Sequence, residues 1–163
     1  WTKGCSKKCK NCSNPELWDV NKSKNRDINS LFQIILNISK ENHIDGITFT
    51  GGDPLEQFNE LIEFVGLLKN ITNDILVYTG DYFKDLGKDI QKEIKKNIPV
   101  LIDGPYIDEL NFKDVKLRGS KNQNIIYFNK KLRHTYKQYM SKDRMIQNVI
   151  MGRKLISVGI HNK

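Results

Sequence analysis

The sequence is short of long hydrophobic runs. Stretches such as Ile34-Ile35-Leu36 fall far below the roughly 18 apolar residues of a membrane span, and no signal-peptide core precedes them. A cytoplasmic setting with no membrane partner is therefore expected. Internal repeats and low-complexity tracts are also missing, which excludes solenoid and disordered-tail architectures. The first residue is Trp1 rather than Met, so the chain is expected to be a trimmed piece of a slightly longer protein with an incomplete first element. Acidic residues are scarce at one end. Residues 113–163 hold 13 basic and 2 acidic side chains, against 14 and 17 in residues 1–112. The net charge of +8 thus belongs to the last third, where nucleic acid, nucleotide phosphates, an acidic protein or plain solvent would all suit a basic surface. What remains is an ordinary globular balance at a length that suits one domain with a real core.

Cysteine is rare, and its placement is informative. Cys5, Cys9 and Cys12 lie within eight residues, and an odd number packed this tightly excludes a disulfide framework and points to a metal site. Tetrahedral zinc needs a fourth ligand, and His43, His134 and His161 all lie at no short fixed spacing from the cysteines. A [4Fe–4S] cluster normally takes four thiolates, so three from one loop would leave one iron open for chemistry. Lys7, Lys8 and Lys10 would offset the negative charge of such a cluster, or would simply be surface. Three loop cysteines holding nothing is the remaining reading, against which stands the ease with which clustered exposed thiols oxidise.

The hydrophobic pattern predicts an αβαβαβ order. Apolar residues at 28, 31, 32, 35 and 38 predict an amphipathic helix from Asp27, its N-cap, to Asn42. A strand over 46–50 follows, broken by Gly51-Gly52-Asp53-Pro54, and then a helix with Leu55, Phe58, Leu61, Ile62, Val65 and Leu68 on one face. Strands are expected at 75–79 and 98–102, with a helical stretch carrying Phe83, Leu86, Ile90 and Ile94 between them. Such alternation implies a parallel sheet covered by helices, with sites gathered at the strand C-termini, where Thr50-Gly51-Gly52-Asp53, Thr79-Gly80 and Asp103-Gly104 stand. Beyond an irregular stretch to Gly119, a strand is expected over 124–128, a helix over 133–150 and a last strand over 154–160. Gly51 and Gly52 are expected to let backbone approach a ligand closely.

Cys5-x-x-x-Cys9-x-x-Cys12, followed one strand later by Gly51-Gly52-Asp53-Pro54, resembles the radical S-adenosylmethionine superfamily, whose loop at that place reads Gly-Gly-Glu-Pro. The match narrows through Trp1-Thr2-Lys3-Gly4-Cys5, Cys12-Ser13-Asn14 with Trp18, Leu55 after the glycine loop, Tyr78-Thr79-Gly80, Asp103-Gly104-Pro105-Tyr106 and Arg118-Gly119-Ser120-Lys121-Asn122-Gln123. In this order they are similar to the activating proteins of anaerobic ribonucleoside-triphosphate reductase, over roughly residues 1–126. The chain departs from that family in three places. Few residues precede the cysteine loop, Asn11 stands where many superfamily members carry an aromatic residue, and residues 127–163 run past the usual end of the small activases.

The resemblance implies an α/β fold: a partial (β/α) barrel of parallel strands with cluster and cofactor at its C-terminal rim. The core would span 1–126, its first strand missing or truncated, and 127–163 would be a basic C-terminal extension of the same domain. Cys5, Cys9 and Cys12 would hold three irons of a [4Fe–4S] cluster, S-adenosylmethionine would chelate the fourth, and Gly51, Gly52, Asp53 and Pro54 would line its methionine end. One electron from a reduced flavodoxin or ferredoxin would break the sulfonium C5′–S bond. The resulting 5′-deoxyadenosyl radical would take a hydrogen from one glycine Cα of the large reductase subunit. Thr79 and Gly80 are expected on the adenosine side, with a strand-ending turn as the plain alternative. Asp103 is expected to meet a ribose or the partner's glycine loop, or to cap the Gly104-Pro105 turn. Arg118, Asn122 and Gln123 are too polar for a core and are assigned to the cofactor pocket or the partner dock, Arg118 being suited to bidentate carboxylate recognition. On this reading a side chain at Gly52 weakens cofactor binding and spares the cluster.

Two other functions compete. Another small radical S-adenosylmethionine enzyme would act on a small molecule or peptide and would need a pocket closed by the chain itself. A metal-cluster module holding RNA on its basic third would need aromatics interleaved with basic residues, of which Tyr127, Phe128, Tyr136 and Tyr139 offer a faint version.

Overall fold

The computed structural model describes residues 1–20, 25–144 and 146–159. Helix α1 (Ile28–Glu41) begins where the Asp27 carboxylate accepts the Ser30 N–H at 2.8 Å, the N-cap that the pattern predicts. Strand β1 (Ile47–Phe49) follows, and then a single 3-10 turn over Pro54–Gln57 leads into α2 (Phe58–Leu68), so the second helix is tighter at its start than the periodicity suggests. Strand β2 (Ile75–Tyr78), helix α3 (Lys88–Asn97) and strand β3 (Val100–Asp103) complete the alternation. The three strands pair in parallel, with Val77 level with Phe49 and Leu101. Parallel neighbours need a crossover, and α2 and α3 supply it.

Strand β4 (Asn124–Tyr127) departs from the all-parallel expectation. It runs antiparallel to β3 and places Asn124 opposite Asp103. The reason lies in the connection. Residues 104–123 hold only a short 3-10 turn (Asp108–Leu110), so the chain crosses the rim and re-enters the sheet at the end it left. The four strands, in order β1-β2-β3-β4, form an open sheet.

The helix expected over 133–150 is corrected by the structure. Helix α4 (Arg133–Met140) is short, and β5 (Ile146–Met151) pairs with β6 (Lys154–Gly159) as an antiparallel hairpin. Branched residues at 146, 149, 150, 156 and 158 favour strands, and Gly152, at φ 61°, occupies the left-handed position that a two-residue hairpin turn demands. Met145, which the pattern put in that helix, lies outside the described residues, as do Ile160 of the last strand and His161.

Strand alternation divides the core into two layers. Ile75, Val77 and Leu101 face the helices and pack with Leu61, Val65, Leu68, Ile94 and Ile98. Leu76, Val100 and Ile102 face the other way and are covered by Tyr136 of α4, with Tyr127, Ile125 and Leu132 around it. The Tyr136 hydroxyl donates to Asp74 at 2.7 Å, and its ring meets Tyr127 edge-on at 5.7 Å. Phe128 packs on Phe83 at 5.2 Å. These aromatics therefore serve the core and are not a stacking platform for RNA bases. Among the described residues no helix is long and apolar enough to cross a membrane.

Ile94 is the one buried residue of α3, whose other side chains are largely polar. Ile94→Ala is expected to lower the unfolding free energy by about 2–5 kcal/mol, read as a fall in the urea midpoint at unchanged slope.

Candidate cluster and cofactor site

The cysteine loop is wound by two left-handed residues, Lys8 at φ 45° and Asn11 at φ 54°, each directly ahead of a cysteine. Asparagine adopts this region more readily than an aromatic residue would, which accounts for the departure at position 11. Its side-chain amide also donates to Asp108 at 2.7 Å. The tight winding brings the Cys12 N–H to the Cys9 carbonyl at 3.2 Å. All three cysteines are half-buried free thiols. Burial pushes the Cys9 thiol up, a backbone N–H of Tyr106 pulls it back, and the other two cysteines add to the rise. That N–H is the kind of donor that tunes a cluster's potential.

Gly51 and Gly52 do allow a close backbone approach. The close approach is to the chain's own N-terminal segment. The Gly52 N–H donates to Thr2 and the Asp53 N–H to Gly4, at 2.9 and 2.8 Å, while Thr2 donates back to Thr50 at 2.8 Å. A Cβ on Gly52 would lie 2.3 Å from the Gly4 carbonyl oxygen, and one on Gly51, at φ +119°, 2.7 Å from that of Thr2. The glycine loop thus clamps the residues that lead into Cys5. Glu56 accepts from both the backbone and the hydroxyl of Ser6, and Gln57 donates to the Lys3 carbonyl at 2.7 Å. Glu56 and Gln57 went unread in the sequence, because nothing local marks them as partners of a loop some fifty residues away.

Asp53 is buried, and both its oxygens are occupied. One accepts from the Leu55 N–H at 3.0 Å, which starts the 3-10 turn. The other accepts from the Thr79 hydroxyl at 3.1 Å, the Gly80 N–H at 2.9 Å and the Lys7 ammonium at 2.9 Å. Lys7 also reaches Asp81 at 3.0 Å. Burial opposes its charge, and the bonds to the two carboxylates outweigh burial, so its ammonium is held well above the ordinary lysine range. Lys7 therefore serves an internal ion pair, while Lys10 pairs with Glu109 at the surface.

The remaining rim residues are staples. Thr79 and Gly80, expected beside an adenosine, face Asp53, and a Cβ on Gly80 would lie 2.3 Å from the Lys7 side chain. Asp103 caps no turn at Gly104-Pro105. Its carboxylate accepts from the Phe83 N–H and from the Asn124 side chain, both at 2.8 Å. Gln123 takes the N–H groups of Gly119 and Ser120 and donates to the Gly104 carbonyl at 2.8 Å. Asn122 donates to Pro105 at 2.7 Å and Arg118 to the Gln123 carbonyl at 2.9 Å. This motif holds the Tyr106 loop over the cysteines. Tyr106 and Asp108 are joined at 2.7 Å and complete that cover.

A cavity of about 530 Å³ opens on the sheet face away from α2 and α3. Thr48, Thr50, Leu76 and Tyr78 form its floor, Cys12 and Tyr106 stand at its edge, and Gly119 and Gln123 also reach it. Of the expected cofactor residues, Gly51, Gly52, Asp53, Pro54, Thr79 and Gly80 lie outside its lining. Among the described residues no three side chains of His, Cys, Asp and Glu gather around one point, as mononuclear zinc would require, whereas cluster thiolates each take a different iron. Half-buried thiols on a tightly wound loop, with the Asn14 N–H donating to the Cys12 sulfur at 3.5 Å and Cys12 opening into a cavity, fit a [4Fe–4S] cluster that leaves one iron free.

Residues 1–126 match the 4Fe-4S single cluster domain family, so the chain is an iron–sulfur protein of the single-cluster class. It is 35% identical over 128 residues to the anaerobic ribonucleoside-triphosphate reductase-activating protein of Enterobacteria phage T4, covering 75% of this chain and 78% of that one. The protein of the same name in Haemophilus influenzae is 36% identical over 131 residues, 77% and 83% of the two chains, and that of Escherichia coli K12 is 31% identical over 127 residues, 74% and 80%. The chain belongs to the family of anaerobic ribonucleoside-triphosphate reductase-activating proteins. No solved structure matches it.

Two outcomes follow from the geometry. Gly52→Val should displace Gly4 and so lower iron and sulfide content after anaerobic reconstitution, in contrast to the expectation that the cluster is spared. Lys7→Met leaves the Asp53 carboxylate buried without its cation and should cost about 3 kcal/mol in urea unfolding at neutral pH.

Proposed function

We propose that this chain is a radical S-adenosylmethionine activase that installs a glycyl radical on the large subunit of anaerobic ribonucleoside-triphosphate reductase. The observation that carries this reading is the single loop of three free thiols with Cys12 opening into a cavity at the C-terminal edge of parallel strands. When bound, the cluster and S-adenosylmethionine together supply a one-electron cleavage of the sulfonium, yielding methionine and a carbon radical able to take hydrogen from a glycine Cα. Cys5, Cys9 and Cys12 would hold three irons, and the Tyr106 N–H would stabilise charge on the Cys9 sulfur.

The cavity floor is suited to exclude water from such chemistry. Leu76 is buried, Tyr78 donates its hydroxyl to the Leu117 carbonyl, and Thr48 and Thr50 bring polar groups of the strand end to the same face. Gly51, Gly52, Asp53 and Pro54 would act by positioning the cysteine loop, and Thr79 and Gly80 by anchoring Asp53. We read the open sheet as part of a partial (β/α) barrel, with residues 1–126 as core and 127–163 as an extension of the same domain. Reduced flavodoxin or ferredoxin is the proposed electron source, meeting the exposed side of the cysteine loop at Ser6 and Lys8.

Anaerobic reconstitution with iron and sulfide, then dithionite and S-adenosylmethionine, should produce 5′-deoxyadenosine, and addition of the large reductase subunit should yield a glycyl radical by electron paramagnetic resonance. Cys9→Ala should abolish cluster and cleavage together. A cluster-loaded wild-type chain that makes no 5′-deoxyadenosine would sink the reading.

A further inference from the structure

The cavity has two kinds of wall. The sheet floor and rim loops lie within residues 1–126, the family match, while Tyr139, Lys142, Asp143, Arg144 and Ser157–Gly159 come from beyond it. We infer that this second wall is a binding element for S-adenosylmethionine, so that Tyr139, Lys142, Asp143, Arg144, Ser157, Val158 and Gly159 belong to the cofactor site and are not an appendage to it. The inference rests on the function proposed above and assigns part of its site.

Three tethers hold the α4 side of this wall in place. The Arg144 Nε donates to the carbonyl of buried Val115 at 2.8 Å, Lys116 and Asp143 pair at 2.9 Å, and Tyr136, three residues before Tyr139, is fixed to Asp74. Residues 136–144 are thereby tied to the 115–116 loop and to Asp74, the residue before β2, and reach the cavity from there. Its chemistry suits an amino-acid nucleoside: the Tyr139 ring and the Val158 side chain offer apolar surface, and Lys142, Asp143, Arg144 and Ser157 beside them offer charged and polar groups. Tyr139 and Val158 line the concavity yet remain 42% and 43% exposed, so an occupant would cover apolar surface that the chain alone leaves uncovered.

The test is the affinity of the full-length, cluster-loaded chain for S-adenosylmethionine, measured by anaerobic equilibrium dialysis without reductant or reductase. Val158→Asp should weaken Kd by about tenfold at wild-type iron content. Ile150→Ser, on the same hairpin but outside the cavity lining, should stay within about twofold. Should Val158→Asp disturb the hairpin, as seen by circular dichroism, Tyr139→Ser carries the same expectation from α4. Unchanged Kd in the wall variants overturns the inference, and if transfer of the radical to the reductase is lost at the same time, the wall belongs to the partner's glycine loop instead. A cluster-loaded wild type that binds no S-adenosylmethionine overturns the functional reading itself, a result distinct from wild-type binding that the wall variants leave intact.

Discussion

Asp53 joins three stretches of chain that lie far apart in sequence. Its carboxylate starts the turn into α2, fixes the end of β2 through Thr79 and Gly80, and neutralises Lys7 in the middle of the cysteine loop. A buried charge of this kind is tolerable only when fully partnered, and here four donors surround it. The arrangement makes the cysteine loop an integral part of the rim, because Lys7 cannot leave without stranding the carboxylate. The backbone ladder from Thr2 and Gly4 to Gly52 and Asp53 reinforces the same joint.

The sheet then separates structure from chemistry. One face packs against α2 and α3 with a continuous aliphatic layer, and the other is only partly filled by α4. The unfilled part, over β1 and β2, is the cavity into which Cys12 opens. Loop 104–123 crosses this rim, and its Arg-Gly-Ser-Lys-Asn-Gln turn uses its polar side chains to hold the Tyr106 backbone against Cys9. A dense polar motif can thus act on the cysteine loop through the rigidity of the loop it closes.

Part of the basic last third has local partners as well. Lys116 is paired with Asp143, Arg118 with the Gln123 carbonyl and Arg144 with the Val115 carbonyl, so three of its cations bind the C-terminal segment or the rim together.

The helices and the three parallel strands were legible because apolar residues recur at the period of each element, and the cysteine loop was legible because ligand spacing is a local property. The hairpin in place of a long last helix was not, since branched residues at 146–158 carry no period that outweighs their neighbours. Sequence by itself determined that three thiols share one loop, that glycines follow β1, and that a helical segment begins at Pro54. Only the tertiary structure decided what those residues touch. The clash that forbids a side chain at Gly52 is with Gly4, the partner of Gly80 is Lys7, and the far wall of the cavity is built by residues of 139–144 and 157–159. Such contacts join segments many residues apart, and their geometry exists only once the sheet has brought the strand ends to one rim.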